Sequence, residues 1–141
     1  LDALADWFCE KDDEGVTRWR KSAGIVISGA AGAGVLKSML LKRRVPERRV
    51  RVANTPQYLQ SCVMFDDAVR QKTVTHLASE GQAALDASVG LIDKDKRGGW
   101  TAHGDGDETP GEAVSLALWG ARTSKRTPVD RPKGERRAVI R

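Results

Sequence analysis

Asp105, Asp107 and Glu108 crowd one short stretch of the chain, HGDGDETPGEAVSLALWG at residues 103–120, where a glycine-spaced acidic cluster runs into an apolar helical pattern. On extended chain alternate side chains face the same way, so Asp105 and Asp107, separated by Gly106, can aim two carboxylates at one spot. Oxygen ligands of this kind suit Mg²⁺ or Mn²⁺, and a pair of such ions can clamp the attacking and leaving oxygens of a phosphodiester. A solvated acidic turn uses the same residue types, because glycine and aspartate are also ordinary turn formers. An EF-hand loop is excluded, since the stretch lacks the D-x-D-x-D-G spacing and the closing glutamate. Thr109 reads as a helix N-cap, Pro110 as the first helical residue, and Glu112 as the member that closes a capping box. On that reading Asp107 is not needed for capping and is left for a metal. Val114, Ala117, Leu118 and Ala121 would form the buried stripe of the helix, widened by Leu116 and Trp119. His103 lies near Asp105, but a lone histidine in a glycine-rich turn is more often solvated than a ligand.

The second chemistry-bearing feature is basic. LKRRVPERRVR at residues 41–51 sets six Lys or Arg against Glu47 alone, between structured elements where it can present a fixed ridge. Residues 124–141, SKRTPVDRPKGERRAVIR, hold seven Lys or Arg against two acids and account for the whole net charge of +5. Prolines and missing apolar periodicity mark that segment as a disordered cationic tail, able to touch phosphates without reading sequence. Arg43, Arg44, Arg48, Arg49, Lys125 and Arg126 are therefore the candidate DNA contacts. A solvated helix end, with cations at its negative terminus, is the plainer account of the ridge.

The elements that must position these residues follow from periodicity. Leu1, Leu4, Ala5 and Phe8 make the stripe of a short helix, ended by EKDDEG. GIVIS, residues 24–28, is a β-branched run suited to one buried strand. Residues 31–43 form a helix with Val35, Leu36, Met39 and Leu40 apolar, and RVRVA at 49–53 returns as a strand, completing a βαβ unit. Thr55 as cap and Pro56 in the first turn begin a helix reaching about Gln71, with Tyr58, Cys62, Phe65 and Val69 on one face. Ser79 and Gln82 read as a capping box for a further helix carrying Leu85, Val89 and Ile92, which DKDKRGG breaks before a strand at 100–103. Residues 1–123 make one α/β domain of ordinary size. Two cysteines, Cys9 and Cys62, sit in helical patterns without C-x-x-C spacing and read as buried thiols. Trp7, Trp19, Trp100 and Trp119 are too scattered for a base-stacking platform. Neither an eighteen-residue apolar run nor a signal-peptide pattern occurs, so the expectation is a cytoplasmic protein without a membrane partner.

Taken in order, GIVISGAAGAG, ANTPQYLQSCVMFDDAV, TVTHL, GQAALDASVGLIDK and GGWTAHGDGDETPGEAVSLALWG resemble the C-terminal nuclease domain of tailed-phage terminase large subunits, over roughly residues 15 to 123. The resemblance rests on a strand with a small-residue turn, the N-T-x-Q-Y helix ending in F-x-D-A-V, L-x-H after it in the family, a tryptophan, and D-x-T-P-x-x-A followed by L-A-L-W. It implies an RNase H-like fold, a mixed sheet flanked by helices and incomplete on its N-terminal side. It also implies a two-metal endonuclease that uses Mg²⁺ or Mn²⁺ to cut concatemeric double-stranded DNA during packaging, with the portal and the small terminase subunit as partners. Asp107 matches the family's last metal-binding aspartate, and Asp67 matches its helix aspartate, although a surface role suits Asp67 better. The family's first aspartate lies upstream of the matched residues, and its middle acid falls where this chain has Ser28. No G-x-x-x-x-G-K-[ST] motor motif occurs. The resemblance thus implies a C-terminal piece of a larger protein, inactive as a nuclease by itself.

Two other classes remain open. A noncatalytic DNA-binding or assembly module would use the basic ridge and tail alone. A dinucleotide-binding fragment would use Gly29, Gly32 and Gly34 as a phosphate-cradling turn, although the spacing is G-x-x-G-x-G and no acid follows the second strand.

Overall fold

The computed structural model describes residues 1–29, 32–75 and 82–125. His76, Ser79, Arg126 and nearly all of the basic tail lie outside these. The described elements are α1 (Asp2–Cys9), α2 (Arg18–Lys21), β1 (Ile25–Ser28), α3 (Ala33–Lys42), a 3₁₀ turn (Glu47–Arg49), β2 (Val50–Ala53), α4 (Thr55–Arg70), α5 (Ala83–Leu91), β3 (Ile92–Lys94), β4 (Trp100–Ala102) and α6 (Thr109–Thr123). This is a mixed α/β fold with two small sheets.

The expected βαβ unit is present: β1 and β2 pair in parallel, with Ile25 opposite Val50 and Ser28 opposite Ala53. Alternate strand residues face opposite sides. Ile25 and Val50 join Ala5, Leu36, Leu40 and Val45 in one core, with Phe8, Cys9, Trp19 and Met39 packed at its margin. Burying Leu40 completely contributes about 2 kcal/mol. On the other face Val26 meets α6, where a Cβ at Gly120 would stand 2.6 Å from Val26 Cγ2. Glycine there lets helix and strand approach closely.

α4, α6 and the β3–β4 hairpin enclose a second apolar group, in which Cys62, Phe65, Ala68, Leu116 and Trp119 are buried. Trp100 sets its ring edge-on to Phe65 at a centroid distance of 6.2 Å. Several expected helix faces are turned. In α6 the buried residues are Gly111, Ser115, Leu116 and Trp119, while Ala117 and Ala121 are exposed. In α4 Ser61 and Ala68 are buried and Val69 is not, and in α1 only Ala5 is buried, with Leu1 and Leu4 outward. Ser61 and Ser115 can be buried because their hydroxyls donate to carbonyls within their own helices, those of Tyr58 at 2.7 Å and Gly111 at 2.7 Å.

The helix expected to run through Ile92 ends at Leu91, and Ile92 begins β3, antiparallel to β4 with Asp93 opposite Thr101. Asp93 and Lys94 of DKDKRGG thus belong to β3, and residues 95–99 form the hairpin loop. Asp95 Oδ1 accepts the N–H groups of Arg97 at 2.8 Å and Gly99 at 2.9 Å, and Gly98 supplies the positive φ of 88°.

Candidate functional site

Between β4 and α6 the chain makes a tight turn. Gly104 adopts φ 60°, Gly106 N–H donates to the His103 carbonyl at 3.1 Å, and His103 N–H donates to Leu91 O at 3.0 Å. The extended geometry expected to align Asp105 with Asp107 is therefore replaced by a turn over Gly104 and Asp105. Ser88 ties this loop to α6: its hydroxyl donates to Asp107 O at 2.6 Å and accepts Gly111 N–H at 3.1 Å.

Asp107 itself does what the sequence assigned to others. α6 begins one residue earlier than expected, with Glu108 in the N-cap position but without a side-chain cap bond. Asp107 Oδ1 accepts the Thr109 N–H at 2.9 Å instead. The Thr109 hydroxyl first, and then this N–H bond, hold the Asp107 carboxyl below the usual aspartate range. Asp107 is thus a capping residue as well as an exposed, ionised carboxylate. Glu112 does not close a capping box; its carboxylate accepts the phenol of Tyr58 across the α4–α6 interface. Asn54, not Thr55, caps α4, in a reciprocal box with Gln57 at 3.0 Å in each direction.

The quoted motif residues pair with one another across α4, α6 and β4. Tyr58 joins Glu112 and accepts Trp100 N–H at 3.2 Å; Trp100 Nε1 donates to Ser115 Oγ at 2.8 Å; Trp119 Nε1 donates to Gln60 Oε1 at 3.0 Å. Asp67 is exposed on α4. Its neighbour Asp66, which sequence reasoning passed over, binds Lys94 at 2.6 Å and Arg70 at 2.8 Å, and Lys94 chiefly lowers its pKa. His103 Nε2 lies 3.6 Å from Asp93 Oδ2, another acid that the sequence did not single out. Among the described residues no three His, Cys, Asp or Glu side chains gather as a metal-binding group. Ser28 ends β1 and is partly buried.

No protein-family model, curated protein or solved structure matches the chain.

The basic ridge divides in two. Arg43 turns back to α1, pairing with Asp6 at 2.7 Å and Asp2 at 3.0 Å, so it links α1 to the end of α3. Those carboxylates, Asp6 first, raise its pKa further. Arg44 is exposed beyond the end of α3 with φ 63°. Arg48 and Arg49 line a cleft of about 600 Å³ together with Arg51 and Lys125. Arg51 was not among the expected contacts; what brings it there is β2, which sets its guanidinium 4.2 Å over the Trp119 ring and 2.9 Å from Thr123 Oγ1. Among the described residues no helix is long and apolar enough to cross a membrane.

Proposed function

We propose that this chain is the C-terminal part of the nuclease domain of a tailed-phage terminase large subunit, RNase H-like in arrangement, and that by itself it binds duplex DNA without cutting it. The observation that carries the reading is Asp107, an exposed carboxylate held ionised by Thr109 where the chain leaves β4 for α6. The family's last metal-binding aspartate occupies such a strand-to-helix junction. Further support comes from the motif residues, which act as the joints of one scaffold: the Asn54–Gln57 cap, the Tyr58–Glu112 bond and the Trp119–Gln60 bond.

In the intact family protein, Mg²⁺ or Mn²⁺ would supply Lewis-acid chemistry, with Asp107 as one ligand. In this chain Ser28 stands at the middle acidic position, and a neutral hydroxyl cannot balance two divalent ions. Portal and small terminase subunit are the protein partners that the reading brings with it.

The test pairs two measurements on the purified chain: anisotropy of a labelled duplex across a salt series, and nicking of supercoiled plasmid with Mn²⁺. Expected are binding that weakens steeply with salt and an intact plasmid. Nicking that Asp107→Ala abolishes would replace the noncatalytic reading with an active nuclease. Failure to bind duplex at low salt would sink the DNA reading, and a rise in melting temperature with a nicotinamide dinucleotide would put a cofactor-binding fragment in its place.

A further inference from the structure

Along α6 toward its C-terminal end, the charged residues lining the cleft are Arg48, Arg49, Arg51 and Lys125, with no carboxylate among the described lining residues. The fold aims two of these guanidiniums. Arg49 Nη1 donates to Ser22 O at 3.1 Å and Ala23 O at 3.2 Å, and Arg51 is held against Trp119 and Thr123. A guanidinium has five N–H donors, so these contacts leave further donors for an anion. Ala117, Gly120 and Ala121 form a floor of small residues that permits close approach. Lys125 begins the segment in which seven Lys or Arg face two acids, so positive charge continues from the cleft along the chain.

We infer that this cleft is a second, noncatalytic contact for the sugar–phosphate backbone of duplex DNA, anchoring the duplex at a distance from Asp107. The inference rests on the DNA-binding reading above and adds where the duplex is held. Charge complementarity selects the occupant: four cations set around an apolar and small-residue floor, two of them prepositioned and with no acid among the described lining residues, suit a rigid array of phosphates, and planar guanidiniums can bind phosphate in a bidentate fork. Such contacts position a duplex without reading its sequence. α6 has 15 residues, which at about 1.5 Å each separate the Asp107 end from Thr123 and Lys125, at the cationic end of the cleft, by roughly 22 Å. That span equals about six steps of 3.4 Å along one DNA strand.

The experiment measures duplex affinity against salt for the wild-type chain, Lys125→Gln, Arg51→Gln/Lys125→Gln, and a charge-matched control, Lys96→Gln/Arg97→Gln, whose exposed residues lie outside both the cleft and the basic ridge. Circular dichroism melts verify that each is folded, and Lys125→Gln alone, at an exposed position, serves if loss of the Arg51 contacts unfolds the double variant. The slope of log K against log salt should become shallower by about 0.9 for Lys125→Gln and about 1.8 for the double cleft variant, and stay unchanged in the control. An equal loss in the control, or cleft variants that bind like wild type, overturns the cleft while the DNA reading stands. Wild-type chain that binds no duplex overturns both. Cleft-dependent binding of a polyglutamate peptide in preference to duplex overturns the inference by assigning the cleft to an acidic protein.

Discussion

Replacing Tyr58 with phenylalanine removes one oxygen and leaves the ring, so it isolates the joint between α4 and α6. That oxygen donates to the Glu112 carboxylate and accepts the Trp100 N–H at 3.2 Å. Burial first, and then the bond to Glu112, hold the phenol far above its ordinary pKa, so it remains a donor throughout the working pH range. A hydrogen bond to a charged group contributes about 1.5–3 kcal/mol and a neutral one about 1 kcal/mol. Both are partly buried, so water replaces part of what is lost, and the expected cost of Tyr58→Phe is roughly 2–3 kcal/mol. Urea melts should report that loss directly, and thermal melts a drop in Tm of about 10 °C. A double-mutant cycle with Glu112→Ala assigns the effect: the coupling should be about 2 kcal/mol, because either change alone destroys the same bond. A Tyr58→Phe variant within about 0.5 kcal/mol of wild type, or strict additivity in the cycle, would refute the claim that this bond joins the two helices.

Three further outcomes are expected. Asp107 has a depressed pKa in the folded state, so its contribution is fully present above the unfolded aspartate value of about 3.9 and lost as pH falls through the folded value. The stability gap between wild type and Asp107→Ala in urea melts should therefore be constant above about pH 5 and close in stronger acid. At Gly29 an added Cβ would overlap the Ala53 carbonyl oxygen, whereas at Gly34 in α3 it meets nothing within 4 Å. Gly29→Ala should cost roughly 1–3 kcal/mol and Gly34→Ala should stabilise by about 0.5–1 kcal/mol; equal denaturation midpoints would contradict this contrast. Cys62 is fully buried and its thiol pKa is pushed up by desolvation, while Cys9 is partly exposed. Alkylation followed by mass spectrometry should modify Cys9 first, and Cys62 only as the chain unfolds.

Much of the framework was legible because it depends on local physics. GIVIS is a strand because β-branched residues crowd a helix, and the proline and amide pattern at residues 54–57 starts α4 whichever of Asn54 and Thr55 is taken as the cap. The acidic junction and the basic concentrations were visible as residue types in order along the chain. What periodicity could not supply was the partner each face meets. Val114, Ala117, Leu118 and Ala121 form as good a stripe as any, yet Leu116 and Trp119 are the buried ones, Val26 of β1 crowds Gly120, Ile92 and Ser88 crowd Gly111, and serines with internal hydrogen bonds fill positions that hydrophobicity reserves for apolar groups. Charge is still less local. Arg43 and Arg51 look alike in LKRRVPERRVR, but Asp2 and Asp6, some forty residues back, claim the first, and Trp119 in α6 holds the second over the cleft. Sequence alone determined that Asp107 stands at a helix start among carboxylates. Only the tertiary structure decided that its oxygen caps that helix while Glu112 leaves for Tyr58, because a side chain's partner depends on what lies beside it in space.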